Sequence, residues 1–129
     1  MEQIFERPFR PSELTAATFT AFPIHAMAHQ LMTEEAFQQS GRNALTLIRH
    51  TSLTVVLTVL KAGAELQEHH APAPVTVLPL FGEIVLSTKA GKTDLALDQG
   101  NAAVFAANLK HRVEARQDSA FLLVMGGQT

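Results

Sequence analysis

The sequence predicts an all-β protein, a sandwich or barrel-like jelly roll of about eight short strands with little helix. Three observations predict it. From Asn43 onward the apolar residues recur every second position, as in Leu53, Val55, Leu57 and Val59 with Thr54 and Thr58 between them. Gly- and Asx-containing turn signals punctuate the rest, at Gly82, Lys89–Lys92, Asp98–Asn101 and Gln117–Asp118. The 129 residues are the length of one domain, and 47% of them are hydrophobic, enough for a core.

The chain opens on a different texture. Residues 1–42 are expected to form an arm and a short helical segment, and residues 43–129 the barrel. The arm holds Pro8, Pro11 and Pro23 and the aromatics Phe5, Phe9, Phe19 and Phe22. Rings of that size are not left in water without a reason, so the arm is expected to lie over an apolar surface, its own or a second subunit's. Pro23 suits a first helical position, and Ile24, Met27, Ala28 and Leu31 follow at helical spacing. Thr33-Glu34-Glu35 reads as a new helix start running to Gln39, with Gly41 as its stop.

Beyond Leu45–Leu47 and Leu53–Val59, strands are expected at Val75–Leu80, Glu83–Thr88, Thr93–Leu97, Ala103–Ala106, Arg112–Arg116 and Ala120–Met125. Their phase carries information. Along 111–116 the charged residues Arg112, Glu114 and Arg116 share one face, so His111, Val113 and Ala115 point into the apolar interior. Val75 and Val77 share a face in the same way. The last strand, Phe121 to Met125, is apolar on both faces and must be covered twice or lie in a subunit interface.

Composition excludes several classes. The net charge of −2 offers no basic patch for nucleic acid. With no Cys there is no disulfide, thiolate nucleophile or Cys-ligated zinc. Leu14–Thr33 is free of charged residues, but Thr, Pro23 and His25 interrupt it and no basic segment precedes it. It is read as neither a signal peptide nor a membrane span, and a cytoplasmic location is expected. No nucleophile elbow, phosphate loop or dinucleotide fingerprint occurs. His25 and His29 are four apart and would share a helix face, but Ala26 stands where a metalloprotease needs Glu. They are read as a partly exposed pair, and His50, beside Arg49, as a surface residue.

Two stretches resemble the paired motifs of the cupin family. The first cupin motif runs Gly, five residues, His, one, His, three or four, Glu, six, Gly. Here the same intervals fall on Gly63, His69, Ala71, Val75 and Gly82. The second runs Gly, five, Pro, one, Gly, two, His, three, Asn, and falls on Gly100, Ala106, Asn108, His111 and Ala115. The resemblance covers about two-thirds of the chain, from Asn43 to Met125. It implies a single-domain cupin jelly-roll β-barrel (double-stranded β-helix), in a family whose small members are usually homodimers.

The resemblance also implies a site. In the family, two His and a Glu of the first motif and a His of the second hold a divalent metal inside the barrel. Carried over, His69 and His111 remain, while Ala71 and Val75 replace the other His and the Glu. Three readings of His69 and His111 stay open: metal ligands, hydrogen-bonding groups of a metal-free pocket, or core histidines. A pocket lined by His69, Ala71, Val75, Val77, Phe105, His111 and Val113 suits a small, mostly apolar ligand with one polar or anionic group. A metal-dependent enzyme of oxygenase or isomerase type is the alternative. It would bind Fe, Mn, Ni or Zn weakly through His69 and His111, with His70 as a rescue ligand if a bulge at Ala71–Pro74 turned it inward. Glu65, Gln67 and Glu68 are further candidates to approach the metal. A third possibility is an accessory protein that works through its surface.

Overall fold

The computed structural model of the chain describes residues 3–69, 71–96 and 99–127, with 68 and 69 described by their backbone alone. Two helices, α1 (Ile24–Thr33) and α2 (Glu35–Ser40), precede nine strands. These are β1 (Arg42–Arg49), β2 (Leu53–Leu60), β3 (Glu65–His69), β4 (Val75–Phe81), β5 (Glu83–Thr88), β6 (Gly91–Ala96), β7 (Ala103–Phe105), β8 (His111–Ala115) and β9 (Ser119–Gly126). A five-stranded sheet has the order β1-β2-β9-β4-β7 and a four-stranded sheet the order β3-β8-β5-β6. Their neighbouring strands pair antiparallel. No helix among the described residues is long and apolar enough to cross a membrane.

Two cores hold the layers together, one on each face of the larger sheet. Between the sheets, Leu60, Val75, Val77, Ile84, Leu86, Leu95, Phe105, Val113, Ala115 and Phe121 form a buried cluster. On the outer face, Leu45, Leu47, Leu57, Val59 and Ala120 pack against Met27, Ala28, Leu31, Phe37 and Phe5. This settles why β9 is apolar on both faces. Phe121 goes to the inter-sheet core, and Ala120 and Leu122 go under the helices. Both coverings come from this chain, and each fully buried Leu or Phe contributes about 1.5–3 kcal/mol.

The arm is clamped by one side chain. Gln30 is buried, and its Oε1 accepts from the backbone N–H of Ile4 (2.6 Å) and of Phe5 (3.3 Å). Its Nε2 donates to the Phe5 carbonyl at 2.8 Å. Further along, Ser12 N–H donates to the Leu47 carbonyl (2.8 Å), and a parallel bridge of Ser12 to Ile48 covers part of the β1 edge. Of the four arm phenylalanines, Phe5 is buried and Phe9 and Phe22 pack against the outer core. Phe19 does not follow the expectation: it is 97% exposed. It lies just beyond the Thr15–Thr18 turn and before Pro23, in a run of mostly exposed residues.

Other boundaries move for identifiable reasons. Thr33 is not a helix cap, because its hydroxyl donates back to the Gln30 carbonyl at 2.7 Å and closes the last turn of α1. Glu34 takes the cap position of α2 instead, and Gly41 ends α2 at φ +76°. β6 begins at Gly91 rather than Thr93, since the β5–β6 ladder runs to Thr88↔Gly91 and leaves only Lys89 and Ala90 as the turn. Leu97, assigned to that strand from sequence, lies outside the described residues. β8 starts one residue earlier than expected, at His111.

At Gly82 the chain switches sheets. β4 ends at Phe81 in the larger sheet and β5 begins at Glu83 in the smaller one, with Gly82 alone between them at φ +85°. Ser119 buttresses this corner: its Oγ accepts from Glu83 N–H at 3.0 Å and lies 3.1 Å from the Glu83 carbonyl.

Candidate functional site

The site sits between the sheets at the end marked by the β3–β4 and β7–β8 connections. β8 supplies its first residue. His111, Val113 and Ala115 are buried and alternate with exposed Arg112 and Glu114, as a two-residue period requires. The His111 ring lies on Phe105, centroids 4.2 Å apart and planes 11° from parallel. Its Nδ1 is 3.1 Å from the Leu109 carbonyl. A carbonyl only accepts, so Nδ1 carries the proton, and in the neutral ring Nε2 is the lone-pair nitrogen.

β3 brings the second histidine opposite the first. Glu65 pairs with Glu114 and Leu66 with Val113, but His69 pairs with His111. The register slips by one between Leu66 and His69, which is a β-bulge. Without it His69 would stand opposite Lys110. The bulge lies just upstream of Ala71–Pro74, the segment where the sequence suggests one. His70, the rescue ligand, lies outside the described residues, as do the side chains of Glu68 and His69.

The larger sheet supplies the other wall. Ladder pairing places Arg49 opposite Thr54, Thr54 opposite Met125, Met125 opposite Val75 and Val75 opposite Phe105. Residues directly opposite one another share a face of the sheet. This row therefore crosses all five strands on the inner face, from a guanidinium at one edge to an aromatic ring at the other. The next row holds Val56, Leu123, Val77 and Ala103. Val75, Val77, Phe105 and Val113 belong to one buried cluster, with Ala71 and Met125 packed against it. The Ala71 carbonyl accepts from Asn108 N–H at 2.7 Å, tying the two connections together. Asn108 stands where the second cupin motif has Gly, and it keeps the left-handed backbone there at φ +64°, which Asn tolerates.

The outer end of the row opens into a cleft of about 680 Å³. Arg49, His50, Thr51 and Thr54 come from β1, β2 and the turn between them, and Pro72, Ala73, Met125 and Gly126 from the β3–β4 connection and β9. From sequence His50 reads as a surface residue, and Arg49 only as its neighbour. Both are indeed exposed, but they border the mouth of the barrel. The available signal was the inward phase of Thr54, two residues before Val56, once β2 and β9 are known to pair.

Other sequence candidates go elsewhere. Glu65 does not approach the histidines; it pairs with Arg112 at 3.0 Å. Arg116 lies 3.3 Å from Asp94 and 3.5 Å from Glu83, so the charged face of β8 carries cross-strand ion pairs. His25 and His29 are exposed on α1 and flank Phe81, His29 in a parallel stack at 5.0 Å.

A resident divalent cation needs three or four donors. Ala71 and Val75 have none at the positions where the cupin motif has His and Glu. Among the described residues no group of three or more His, Cys, Asp or Glu side chains comes together. At these two motif positions the side chains supply no ligand.

Two facing antiparallel sheets around one buried apolar cluster define a β-barrel of the double-stranded β-helix class. The chain has the cupin fold. It is similar to a conserved protein of unknown function from Streptococcus pyogenes, 22% identical, with TM-score 0.63 over 75% of this chain and 88% of that one. A cupin superfamily protein from Desulfitobacterium hafniense is 17% identical, with TM-score 0.63 over 67% of this chain and 78% of the other. An RmlC-like cupin family protein with a double-stranded β-helix fold, from Methanocaldococcus jannaschii, is 16% identical, with TM-score 0.60 over 68% and 82%. No protein-family model matches the sequence, and neither does any curated protein.

Proposed function

We propose that this cupin-fold chain binds a small, mostly apolar molecule on the inner face of its larger sheet, without a metal cage. The observation that carries this reading is the place of Val75. It stands where the cupin motif has its carboxylate, and in the row across the sheet its neighbours are Met125 and Phe105. A carboxylate there would meet a thioether and an aromatic ring, whereas Val75 continues an apolar wall. His111 gives that wall one hydrogen-bonding group, held in orientation by Phe105 and the Leu109 carbonyl.

Metal content tests the reading. Untagged protein, as isolated and after dialysis against Fe(II), Mn(II), Ni(II) or Zn(II), is expected to hold no stoichiometric metal by mass spectrometry. One equivalent per chain that disappears in His111→Ala overturns it.

The second reading, a metal-dependent enzyme, is favoured by one observation. The Nδ1 contact leaves the neutral His111 ring with its lone pair on Nε2, the arrangement common to metal-binding imidazoles, and the bulge sets His69 opposite it. Under that reading metal and activity are lost together in His111→Ala.

A further inference from the structure

We propose that the cleft at the barrel mouth is the anion-recognition end of the ligand site, and that the ligand is a small carboxylate with an apolar tail. Arg49 takes the carboxylate, and the tail runs along Met125 and Val75. The inference rests on the binding reading above and adds the chemical class of the ligand.

The cleft has the size for it. Its volume of about 680 Å³ lies within the roughly 300–1,000 Å³ of small-molecule sites. Its charge is one-sided: Arg49 lines it, and no Asp or Glu is among its described lining residues. Arg112, Arg116 and Arg7 are each neutralised by a carboxylate of this chain, but among the described residues Arg49 has no such partner. A planar guanidinium without an internal counter-ion is the group best matched to an incoming carboxylate, through two parallel N–H···O bonds.

His50 is set up as a donor. Ser52 N–H donates to His50 Nδ1 at 3.0 Å, so Nδ1 is the acceptor and the neutral ring keeps its proton on Nε2. The hydroxyls of Thr51 and Thr54 add two groups able to donate in the same cleft. Every polar side chain bordering the cleft can therefore offer a hydrogen to an oxyanion.

Inward from Thr54 the chemistry changes within one strand spacing. Met125 and Val75 follow in the row, then Phe105 beneath the His111 ring. Arg49 and Val75 are three strand spacings apart, about 14 Å. With the reach of the arginine side chain subtracted, a tail of roughly four to eight carbons spans the distance from the carboxylate to Val75. Glu at position 75 would repel such an anion. Val at 75 removes that charge and keeps the wall behind Met125 apolar.

The test uses the full chain labelled with [13C]methyl-methionine, the Met125 signal being assigned with Met125→Leu. Hexanoate and hexanamide are titrated separately. The two share a tail and differ in charge. Hexanoate is expected to shift the Met125 methyl saturably and to bind more tightly than hexanamide. In Arg49→Gln its affinity is expected to fall about tenfold or more, as for loss of a charged hydrogen bond, with partial recovery in Arg49→Lys. Hexanamide affinity is expected to be the same in Arg49→Gln as in the parent. Equal binding of hexanoate and hexanamide, both moving Met125, overturns the anion assignment and leaves the apolar pocket standing. Hexanoate binding undiminished in Arg49→Gln does the same. Failure of both probes to move Met125 overturns the assignment and the binding reading together. The comparison of the two probes on the unmodified chain needs no variant, so it decides even if a substitution disturbs folding.

Discussion

His111 lies flat on Phe105, the ring centroids 4.2 Å apart and the planes 11° from parallel. The contact joins the two sheets, since Phe105 ends β7 of the larger one and His111 begins β8 of the smaller. Removing the ring in Phe105→Ala leaves a void against Val75, its ladder partner, and under the histidine. The loss is expected to be about 3–5 kcal/mol in urea unfolding, and Phe105→Leu is expected to cost clearly less. Equal stability of Phe105→Ala and the parent would mean that this end of the barrel is not packed as described.

The Leu109 carbonyl fixes the His111 tautomer. Long-range 1H–15N spectra of the neutral ring are expected to show the proton on Nδ1. A spectrum dominated by the Nε2–H form would break the Nδ1–H···O=C assignment and, with it, the orientation of the ring.

Gln30 serves both polar groups of one arm residue, the N–H and the C=O of Phe5. Gln30→Leu keeps the apolar bulk of the side chain but strands these groups at a buried position. A loss of about 1–3 kcal/mol is expected. Amide exchange at Ile4 and Phe5 should accelerate while β2 and β9 stay protected. Uniform acceleration across the chain would instead mean that arm and barrel unfold as one unit.

Gly82 is required by two features at once. Its φ is +85°, and a Cβ there would collide with the Ser119 side chain and the Asp118 carbonyl. Gly82→Ala must strain the backbone and push β9 away from the corner where β4 passes into β5. It is expected to cost more than the ~1 kcal/mol typical of a glycine-to-alanine change on conformation alone. Gly63 also has positive φ, but with open space around it, so Gly63→Ala is expected to cost less than Gly82→Ala in the same assay.

Glu34 ties the arm to the start of the barrel. Hydrogen bonds from Arg7 hold its carboxyl below the usual glutamate range, Asn43 Nδ2 (2.9 Å) acts in the same direction, and burial opposes both. A depressed folded-state value stabilises the fold above the unfolded-state pKa. That contribution is lost as pH falls through the folded value. Arg7 is 43% exposed, so solvent screens the pair and Arg7→Ala should cost no more than about 1 kcal/mol at neutral pH. The gap between Arg7→Ala and the parent should narrow as the pH drops below the unfolded glutamate range. A gap that persists at low pH would point to lost packing of the Arg7 stem over Phe5 rather than to charge.

The β class, the inward phase of His111, Val113 and Ala115, the helix over Ile24–Leu31 and the turns at Gly41 and Gly82 are all legible along the chain. Each is a local property. Two-residue alternation, helical spacing and positive φ are set by a residue and its near neighbours, so they can be read along the chain. What the motif positions lack is equally local, because Ala71 and Val75 have no side-chain donor atom in any fold. Which strands face one another is not legible in this way. The bulge that sets His69 opposite His111, the row from Arg49 to Phe105, and the second covering of β9 by the arm and helices all depend on pairings between distant segments. A one-residue slip in such a pairing changes which side chains meet, and it leaves no mark on the local pattern of either strand. Phe19 shows the same limit from the other side: its composition predicts burial, and only the path of the chain leaves it in water.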